Sequence, residues 1–347
     1  MENQDSLRIV LCGTVHCTEL IAKKLVEHNA RLVAVAGVKP EYSKSISGYV
    51  DMSVIASEIN VPYYAFKNIN ESGCIEFIQK VSPDILFVTG LSQLVKDELM
   101  SVPRIGIVGF HPTPLPKGRG RAPIAWLAHD SSGGAATFFT LGNGVDNGDI
   151  FVQEHFTVNP DDHALDVEAK ILLAAGAALD RWLPQLIQGE WNPVPQDESL
   201  ATYNEIRKPD DGIIDWTLPV NTVYALIRAA SHPHPGAYTF IEERKILIWK
   251  AEIDKTSHIR GVPGRILRIE GNQILVQTGN GLLIIKEWEM EDNAATPVLR
   301  IGMRLGYNAQ NEIYDLRQRI TKMEKLLETL TAECQKPKNN SEEKSNV

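Results

Sequence analysis

The chain has 347 residues, of which 43% are hydrophobic and 23% are charged, an ordinary balance for a water-soluble protein and a length that accommodates two domains. It contains no apolar run near the ~20 residues that span a bilayer, which argues against an integral membrane protein. The net charge of −9 gives no overall basic surface for RNA, although it does not exclude a local basic patch.

The amino terminus and the cysteines indicate a reducing location. The chain opens Met-Glu-Asn-Gln-Asp, which lacks the basic and apolar regions of a secretory signal. Its four cysteines are widely spread and form neither a CxxC pair nor a zinc-binding spacing; they are Cys12, Cys17, Cys74 and Cys334. We therefore expect reduced thiols and a cytoplasmic protein.

The first third of the chain alternates short apolar runs with amphipathic segments. This alternation is typical of an α/β domain with a doubly wound, mainly parallel, Rossmann-like sheet. A lone Gly13 after the first strand is not a G-x-G-x-x-G motif, so neither a nicotinamide nor a flavin cofactor is expected. The predicted strands are residues 7–12, 31–38, 62–66, 84–89 and 105–110, and the predicted helices are residues 18–28, 52–60 and 74–81.

The fifth predicted strand ends in a polar, proline-rich stretch with a histidine at its edge. Residues 111–118 read His-Pro-Thr-Pro-Leu-Pro-Lys-Gly, and the prolines cannot continue a strand ladder. His111 therefore lies at the carboxyl end of a strand, which is where open α/β sheets bind ligands. Its imidazole could act as a general acid or base near neutral pH, and the alternative is that it caps a turn.

A glycine-rich loop with two acids lies between the next two predicted strands, residues 134–141 and 150–158. Residues 142–149 read Gly-Asn-Gly-Val-Asp-Asn-Gly-Asp, and the glycines permit the positive-φ turns that bring backbone close to a ligand. Together with the stretch around His111, this loop resembles the folate-dependent formyltransferases. That family holds methionyl-tRNA formyltransferase and the sugar-nucleotide N-formyltransferases, and the resemblance extends to about residue 300.

The family signature is Asn-x-His-x-x-Leu-Leu-Pro followed by Asp-x-Gly, and His111 and Asp146 match two of its three catalytic positions. Gly109 stands where the family has asparagine, so one expected catalytic side chain is missing. A water, the Gly109 N–H or a residue from another loop would have to replace it. Asn143 and Asn147 are candidates, although the simpler role of an asparagine beside glycine is turn formation.

The resemblance implies transfer of a formyl group from N10-formyltetrahydrofolate to an amine, with His111 as general acid and base and Asp146 assisting. No metal is needed for this chemistry, and the sequence shows no clustered ligand set. The resemblance also implies folate-binding residues, which are Leu91, Ser92, Gln93, Leu94, Arg119, Gly120 and Val145. It implies an acceptor site at Gly13, Thr14, His16 and Lys117, where the alternative for His16 is a solvated loop residue.

Three functions fit this resemblance, and the basic residues help to separate them. An amino-sugar nucleotide, used in making lipopolysaccharide or another surface glycan, is the preferred acceptor, and initiator methionyl-tRNA is the alternative. A third reading is a catalytically degenerate module that binds folate or a nucleotide. Few cations are available for a tRNA, although they suffice for a pyrophosphate; they are Lys39, Lys44, Lys117, Arg119 and Arg121. Binding of nucleic acid is therefore not expected.

The catalytic domain, residues 1–190, is predicted to end after a long helix at residues 164–187, and residues 191–209 are predicted to link it to a second domain. Residues 210–305 resemble the C-terminal domain of the same family, and their short alternating strands predict a small OB-like barrel. Those strands are residues 238–241, 245–253, 264–269, 273–278 and 281–288. Arg228, His232 and His234 could face the active-site cleft or form a polar turn.

The last part of the chain has an apolar period of its own. Steps of three and four residues form an a/d seam; its members are Ile313, Leu316, Ile320, Met323, Leu327 and Leu330. Residues 306–335 are therefore predicted to form a helix that makes a short parallel coiled coil in a homodimer. The alternative is a helix that packs on its own domain. Residues 336–347 are polar and are predicted to be disordered.

Overall fold

The computed structural model describes residues 6–242, 244–291, 298–307 and 309–334. Its strands are β1 (Arg8–Gly13), β2 (Arg31–Val38), β3 (Tyr63–Phe66), β4 (Ile85–Thr89), β5 (Gly106–His111), β6 (Arg119–Gly120), β7 (Gly134–Thr140), β8 (Ile150–Phe156), β9 (Tyr203–Asn204), β10 (Ala237–Ile241), β11 (Arg244–Asp254), β12 (Ile266–Glu270), β13 (Gln273–Gln277) and β14 (Leu282–Met290). Its helices are α1 (His16–Glu27), α2 (Met52–Glu58), α3 (Ser72–Lys80), α4 (Asp97–Met100), α5 (Pro123–Asp130), α6 (Ala164–Ile187), α7 (Val220–Ala230) and α8 (Ala309–Cys334).

The first sheet has seven strands in the order β3-β2-β1-β4-β5-β7-β8. The first five of these run parallel, and β7 and β8 join antiparallel at the β5 edge. All five residues of β4 are buried, as expected for a strand with helices on both faces of its sheet. The predicted doubly wound, mainly parallel sheet is confirmed.

Helix α6 anchors one face of this sheet. Its Trp182 ring packs against Phe138 of β7 and Phe151 of β8, with ring centroids 5.9 and 4.8 Å apart. The helix begins at Ala164 because His163 donates its N–H to the Asp166 carboxylate (2.9 Å), which closes the first turn. The cap therefore lies one residue beyond the predicted Pro160-Asp161-Asp162 stretch.

The second sheet has five antiparallel strands in the order β10-β11-β14-β13-β12. Helix α7 covers it, and Val223 and Ile227 of the helix share a buried core with Ile248 of β11 and Leu283 of β14. Register shifts between Ile248 and Ala251 bend β11, as bulges do. The α/β fold class with a smaller β domain is confirmed.

The segment that was predicted as a linker is built into the first domain. β9 pairs in parallel with β6, and Val194 bridges to Ile150 at the start of β8. Residues 191–206 therefore run back across the β5 side of the first sheet before the chain enters the second domain. This path places several linker side chains beside the loops around His111.

Helix α8 follows the second sheet. Every residue of α8 whose exposure the structure describes is exposed, which disagrees with packing on its own domain. The predicted disordered segment, residues 336–347, lies outside the described residues. Of the helices in the described ranges, none combines the length and hydropathy required to cross a bilayer.

Candidate active site

His111 is the last residue of β5 and is 6% exposed. Its Nε2 lies 2.9 Å from the carbonyl oxygen of Gly118, and because a carbonyl can only accept, Nε2 carries the hydrogen. Nδ1 is then the ring nitrogen directed at the acidic loop, which comprises residues 142–149. It lies 3.6 Å from Oδ2 of Asp146. That separation is an ion-pair distance slightly longer than a hydrogen bond.

The proline-rich loop that holds Nε2 is fixed by a row of polar side chains. His111, Thr137 and Gln153 lie opposite one another on β5, β7 and β8. Thr137 donates to the carbonyl of Thr113 (2.7 Å), and Gln153 donates to the carbonyl of Leu115 (3.1 Å) and to Thr137 (2.9 Å). The loop is therefore fastened to the sheet at two carbonyls, and this fixes the acceptor of the His111 ring.

The loop that carries Asp146 approaches from an unexpected direction. Because β7 is antiparallel to β5, this loop leaves beside Ile107, where Leu141 donates its N–H to the Ile107 carbonyl (2.9 Å). It then folds back over the face of the sheet to reach His111. Asp146 has φ of +49°, a left-handed conformation that aspartate tolerates better than most residues, and its Oδ2 accepts from the Gly120 N–H (2.9 Å).

The linker clamps this loop through Gln196. Its Nε2 donates to the carbonyls of Asp146 (2.8 Å) and Gly148 (2.6 Å), and its Oε1 accepts from Arg119 (2.8 Å). One amide side chain thus donates hydrogen bonds to backbone carbonyls on both sides of the turn in this loop. Gly118 is tied to the same segment, since its N–H donates to Thr202 Oγ1 (2.8 Å).

Arg119 does not offer its charge to a ligand. Its side chain is 0% exposed and makes a bidentate pair with Glu198 (2.7 and 2.9 Å) and a bond to Tyr203 (2.9 Å). The hydrogen bonds between them raise the pKa of Arg119 and lower the pKa of Glu198. The guanidinium of Arg119, which was predicted to contact folate, is thus engaged by linker side chains, and its N–H donates to the Thr202 carbonyl (2.9 Å).

Gln196, Glu198 and Tyr203 were not predicted from the sequence as part of the site. All three lie in a proline-rich polar stretch without periodicity, and their partners are 48 to 84 residues away along the chain. Only the folded path of the linker brings them to the loops.

The place of the missing asparagine is filled by apolar side chains. Gly109 lies on the His111 face of β5, opposite Phe139 of β7. A Cβ at Gly109 would lie 2.9 Å from the Phe139 ring and 2.9 Å from a methyl of Leu141. Gly109 is also paired on both sides, with β4 and β7, so its N–H points within the sheet rather than over this face. Asn143 and Asn147, the other candidates, are exposed on the acidic loop.

The residues predicted to bind folate lie in two loops. Residues 91–94 follow β4, where Gln93 accepts from the Ile69 N–H (2.7 Å) and donates to the Lys67 carbonyl (2.9 Å), so its side chain holds the loop in place. Leu94 is 78% exposed, and Val145 of the acidic loop is 46% exposed. Ser92 is also exposed, whereas Gly120 contributes the N–H that binds Asp146. The exposed leucine and valine are apolar contacts available to a flat ring.

The residues predicted to bind the acceptor lie at the end of β1 and in the proline-rich loop. A Cβ at Gly13 would lie 2.2 Å from the Thr89 carbonyl, so glycine permits the close approach of β1 and β4. Thr14 is buried and donates to the Val50 carbonyl (3.2 Å), while Lys117 is exposed. His16 is half exposed and lies 3.0 Å from Glu168 of α6, a partner that the sequence did not reveal.

Arg228, which could have faced the cleft, is instead buried between the two domains. It donates to the carbonyl of Asp162 (3.0 Å), to the carbonyl of Ala128 and to Ser131 Oγ (3.1 Å), where α5 ends. His232 stacks on Trp249 with centroids 3.8 Å apart. Burial lowers the pKa of His234, whose Nε2 is buried without a protein partner. Within the described residues, no group of three or more His, Cys, Asp or Glu side chains is arranged to hold a metal ion.

Comparison with known proteins gives matches over both sheets. A family model described as formyl transferase matches residues 7–183, and another described as formyl transferase, C-terminal domain, matches residues 207–301. The chain is 27% identical over 312 residues to the methionyl-tRNA formyltransferase of Geobacter sulfurreducens, which covers 86% of this chain and 97% of the relative.

Two solved structures show a similar fold. HypX from Aquifex aeolicus, in complex with tetrahydrofolic acid, is 16% identical with a TM-score of 0.60; the alignment covers 82% of this chain but only 44% of HypX. An N-formyltransferase from Helicobacter canadensis, in complex with folinic acid and dTDP-3-aminofucose, is 15% identical with a TM-score of 0.57 and is covered over 100% of its length. At these identities the likeness concerns the fold alone.

Proposed function

Because the chain belongs to the formyl transferase family, with matches to its N-terminal and C-terminal parts, we propose that it transfers a formyl group from N10-formyltetrahydrofolate to the primary amine of a nucleotide-linked amino sugar. The observation that carries the proposal is the pair formed by His111 and Asp146, 3.6 Å apart. Backbone groups of the neighbouring loops hold both side chains, so the pair is fixed before substrate binds.

The proposed reaction begins when the acceptor nitrogen attacks the formyl carbon. Nδ1 of His111 takes the proton that the amine loses, and Asp146 stabilises the imidazolium that results. Collapse of the tetrahedral intermediate breaks the bond between the formyl carbon and N10. The imidazolium then returns its proton to N10, which leaves tetrahydrofolate and the formamide. No side chain is consumed in this cycle.

The oxyanion of that intermediate needs a donor, and the usual asparagine is absent at Gly109. The Gly109 N–H lies within the strand ladder, and Phe139 and Leu141 cover the position that an amide would occupy. We assign this role to protonated His111, whose Nδ1–H faces the same side of the sheet. A single group that both moves the proton and polarises the formyl oxygen predicts a modest turnover number.

The choice of a sugar nucleotide follows from how few cations the site exposes. Lys117 and Arg121 are exposed on the proline-rich loop, whereas Arg119 between them is buried and forms a salt bridge with Glu198. Two exposed cations and the backbone after Gly13 suit a pyrophosphate better than the several phosphates of a tRNA. Glu168 lies beside His16, so this position suits a hydroxyl or amine of the sugar better than a phosphate.

Methionyl-tRNA is the second candidate acceptor. It is favoured by the Geobacter sulfurreducens relative, whose 97% coverage extends the match through the second sheet as well as the first. In that case the two domains would have to supply basic contacts outside the site described above.

The test is a parallel assay of amino-sugar nucleotides and methionyl-tRNA with N10-formyltetrahydrofolate, read by mass spectrometry of the acceptor. We expect turnover with a sugar nucleotide and a KM that changes less than about tenfold between about 50 and 200 mM salt, since a tRNA acceptor would lose roughly 10³–10⁵ in affinity. Formylation of methionyl-tRNA alone would overturn the acceptor assignment.

The matched variants are His111→Asn and Asp146→Asn. Each should lower kcat by on the order of 10²–10⁴, while folate binding measured by fluorescence titration is kept. A His111→Asn protein that retains more than about a tenth of kcat would refute the proposed role of His111. Folate binding without turnover on any amine would instead identify a degenerate binding module.

A further inference from the structure

Helix α8 presents an apolar seam that the described part of its own domain leaves exposed. The six a and d side chains are each between 50% and 63% exposed; they are Ile313, Leu316, Ile320, Met323, Leu327 and Leu330. Helices are only marginally stable in water without tertiary packing, and surface apolar residues normally occur singly rather than in a continuous line. The seam therefore requires a covering surface.

The charges that flank the seam identify that surface. With Ile313 at an a position, Glu312 and Arg319 occupy g positions, and Arg317 and Glu324 occupy e positions. In a parallel two-stranded coil each g residue faces the e residue of the following heptad on the other helix. Glu312 then faces Arg317, and Arg319 faces Glu324, so both contacts join opposite charges.

We propose that α8 is a dimerisation helix that forms a parallel two-stranded coiled coil with α8 of a second copy. The two-fold symmetry makes each of these charge pairs twice, which gives four attractive contacts around six apolar layers. Ile313 and Ile320 at a positions with Leu316 and Leu330 at d positions favour two strands over three or four. An antiparallel pair sets e against e and g against g, and so would not bring Glu312 to Arg317.

The arrangement has a geometric consequence. A parallel coil places the amino-terminal ends of the two α8 helices at the same end of the coil, with their axes about 10 Å apart. Both second domains then lie on that side, and both sites around His111 belong to one particle. Among the described residues, the partners of His111 are Gly118 and Asp146, neither of which lies on α8, so we expect each site to work without the dimer.

The experiment measures the mass of the full chain by light scattering over a range of protein concentrations. The wild-type protein should be a dimer, and Ile320→Glu should be a monomer with unchanged kcat per chain. Truncation after Gly306 should give the same result. A wild-type chain that is monomeric at every concentration, or an Ile320→Glu chain that keeps the dimer mass, would overturn the proposal.

Charge exchange tests the parallel register. Arg317→Glu sets like charges against Glu312 and should raise the dissociation constant on the order of tenfold or more, and the double variant Glu312→Arg/Arg317→Glu should restore it. Lys322→Glu, a reversal at the outer c position, is the matched control and should leave it unchanged. Failure of the double variant to restore binding, or an equal effect of Lys322→Glu, would refute the parallel pairing.

Discussion

Replacement of Gln196 by leucine removes the clamp between the linker and the Asp146 loop without adding bulk. The change deletes two hydrogen bonds to the carbonyls of Asp146 and Gly148 and one from the buried Arg119 guanidinium. A neutral hydrogen bond contributes about 1 kcal/mol net and one to a charged group about 1.5–3 kcal/mol. Part of this is regained when water reaches the half-buried loop, so the free energy of unfolding should fall by roughly 2–4 kcal/mol.

The catalytic effect should exceed what that loss of stability explains. Asp146 keeps its hydrogen bond from the Gly120 N–H, but the backbone carbonyls of Asp146 and Gly148 lose the hydrogen bonds that Gln196 donates. A displacement of about 1 Å in such a group lowers rates by on the order of 10². We expect kcat to fall by roughly ten- to a hundredfold, with the KM for the folate changed much less.

The assay combines steady-state kinetics, folate titration and urea unfolding, with kinetics taken where the variant is fully folded. Gln196→Glu keeps a partner for Arg119 but sets a carboxylate against the two carbonyls, so it should lose kcat while losing less stability. Gln185→Leu is the matched control, since Gln185 is exposed on α6. A Gln196→Leu enzyme with kcat within about twofold of wild type would refute this reasoning, because it would mean that the Gly120 bond alone positions Asp146.

Three further outcomes are expected. Arg228→Met removes the buried hydrogen bonds to Asp162 and Ser131, so the free energy of unfolding should fall by about 2–4 kcal/mol. Calorimetry should then resolve separate transitions for the two domains, and a single unshifted transition would contradict this. Burial lowers the pKa of His163 and of His234, so the unfolded chain binds more protons below about pH 6.5 and stability measured by urea should fall as the pH drops. A double His→Gln variant with the same pH slope would disprove that origin. Gly109→Ala crowds both Phe139 and Leu141 and should destabilise the protein by about 1–3 kcal/mol in thermal unfolding. An unshifted melting temperature would show that both side chains move aside at no cost.

The sequence predicted the parts of this molecule that depend on local pattern. β2 and α6 have their predicted bounds. A strand buried on both faces and a helix buried along one stripe each have a regular pattern of apolar residues in the sequence. The pairing of His111 with Asp146 followed from a family signature rather than from any period. Both side chains lie close together, as that resemblance led us to expect.

Contacts between distant, irregular segments were not predictable in the same way. The family resemblance predicted Arg119 as a folate-binding residue, and its charge was counted with Lys117 and Arg121 among the cations available to an acceptor. Its burial depends on Glu198 and Gln196, which lie in a stretch with no hydrophobic period and reach the loop only through the path of the chain. The position of Arg228 likewise depends on the end of α5, a hundred residues away.

The packing around Gly109 has a consequence for how an asparagine could be introduced at this position. Since a Cβ at Gly109 would lie 2.9 Å from both Phe139 and Leu141, a change of this residue to asparagine would meet a collision before it supplied any hydrogen bond. The order of steps is therefore constrained: smaller residues at positions 139 and 141 must come first, and by themselves those changes only open a void. Neither first step improves the enzyme alone, so the glycine is entrenched, and a laboratory selection that alters one position at a time should leave it in place.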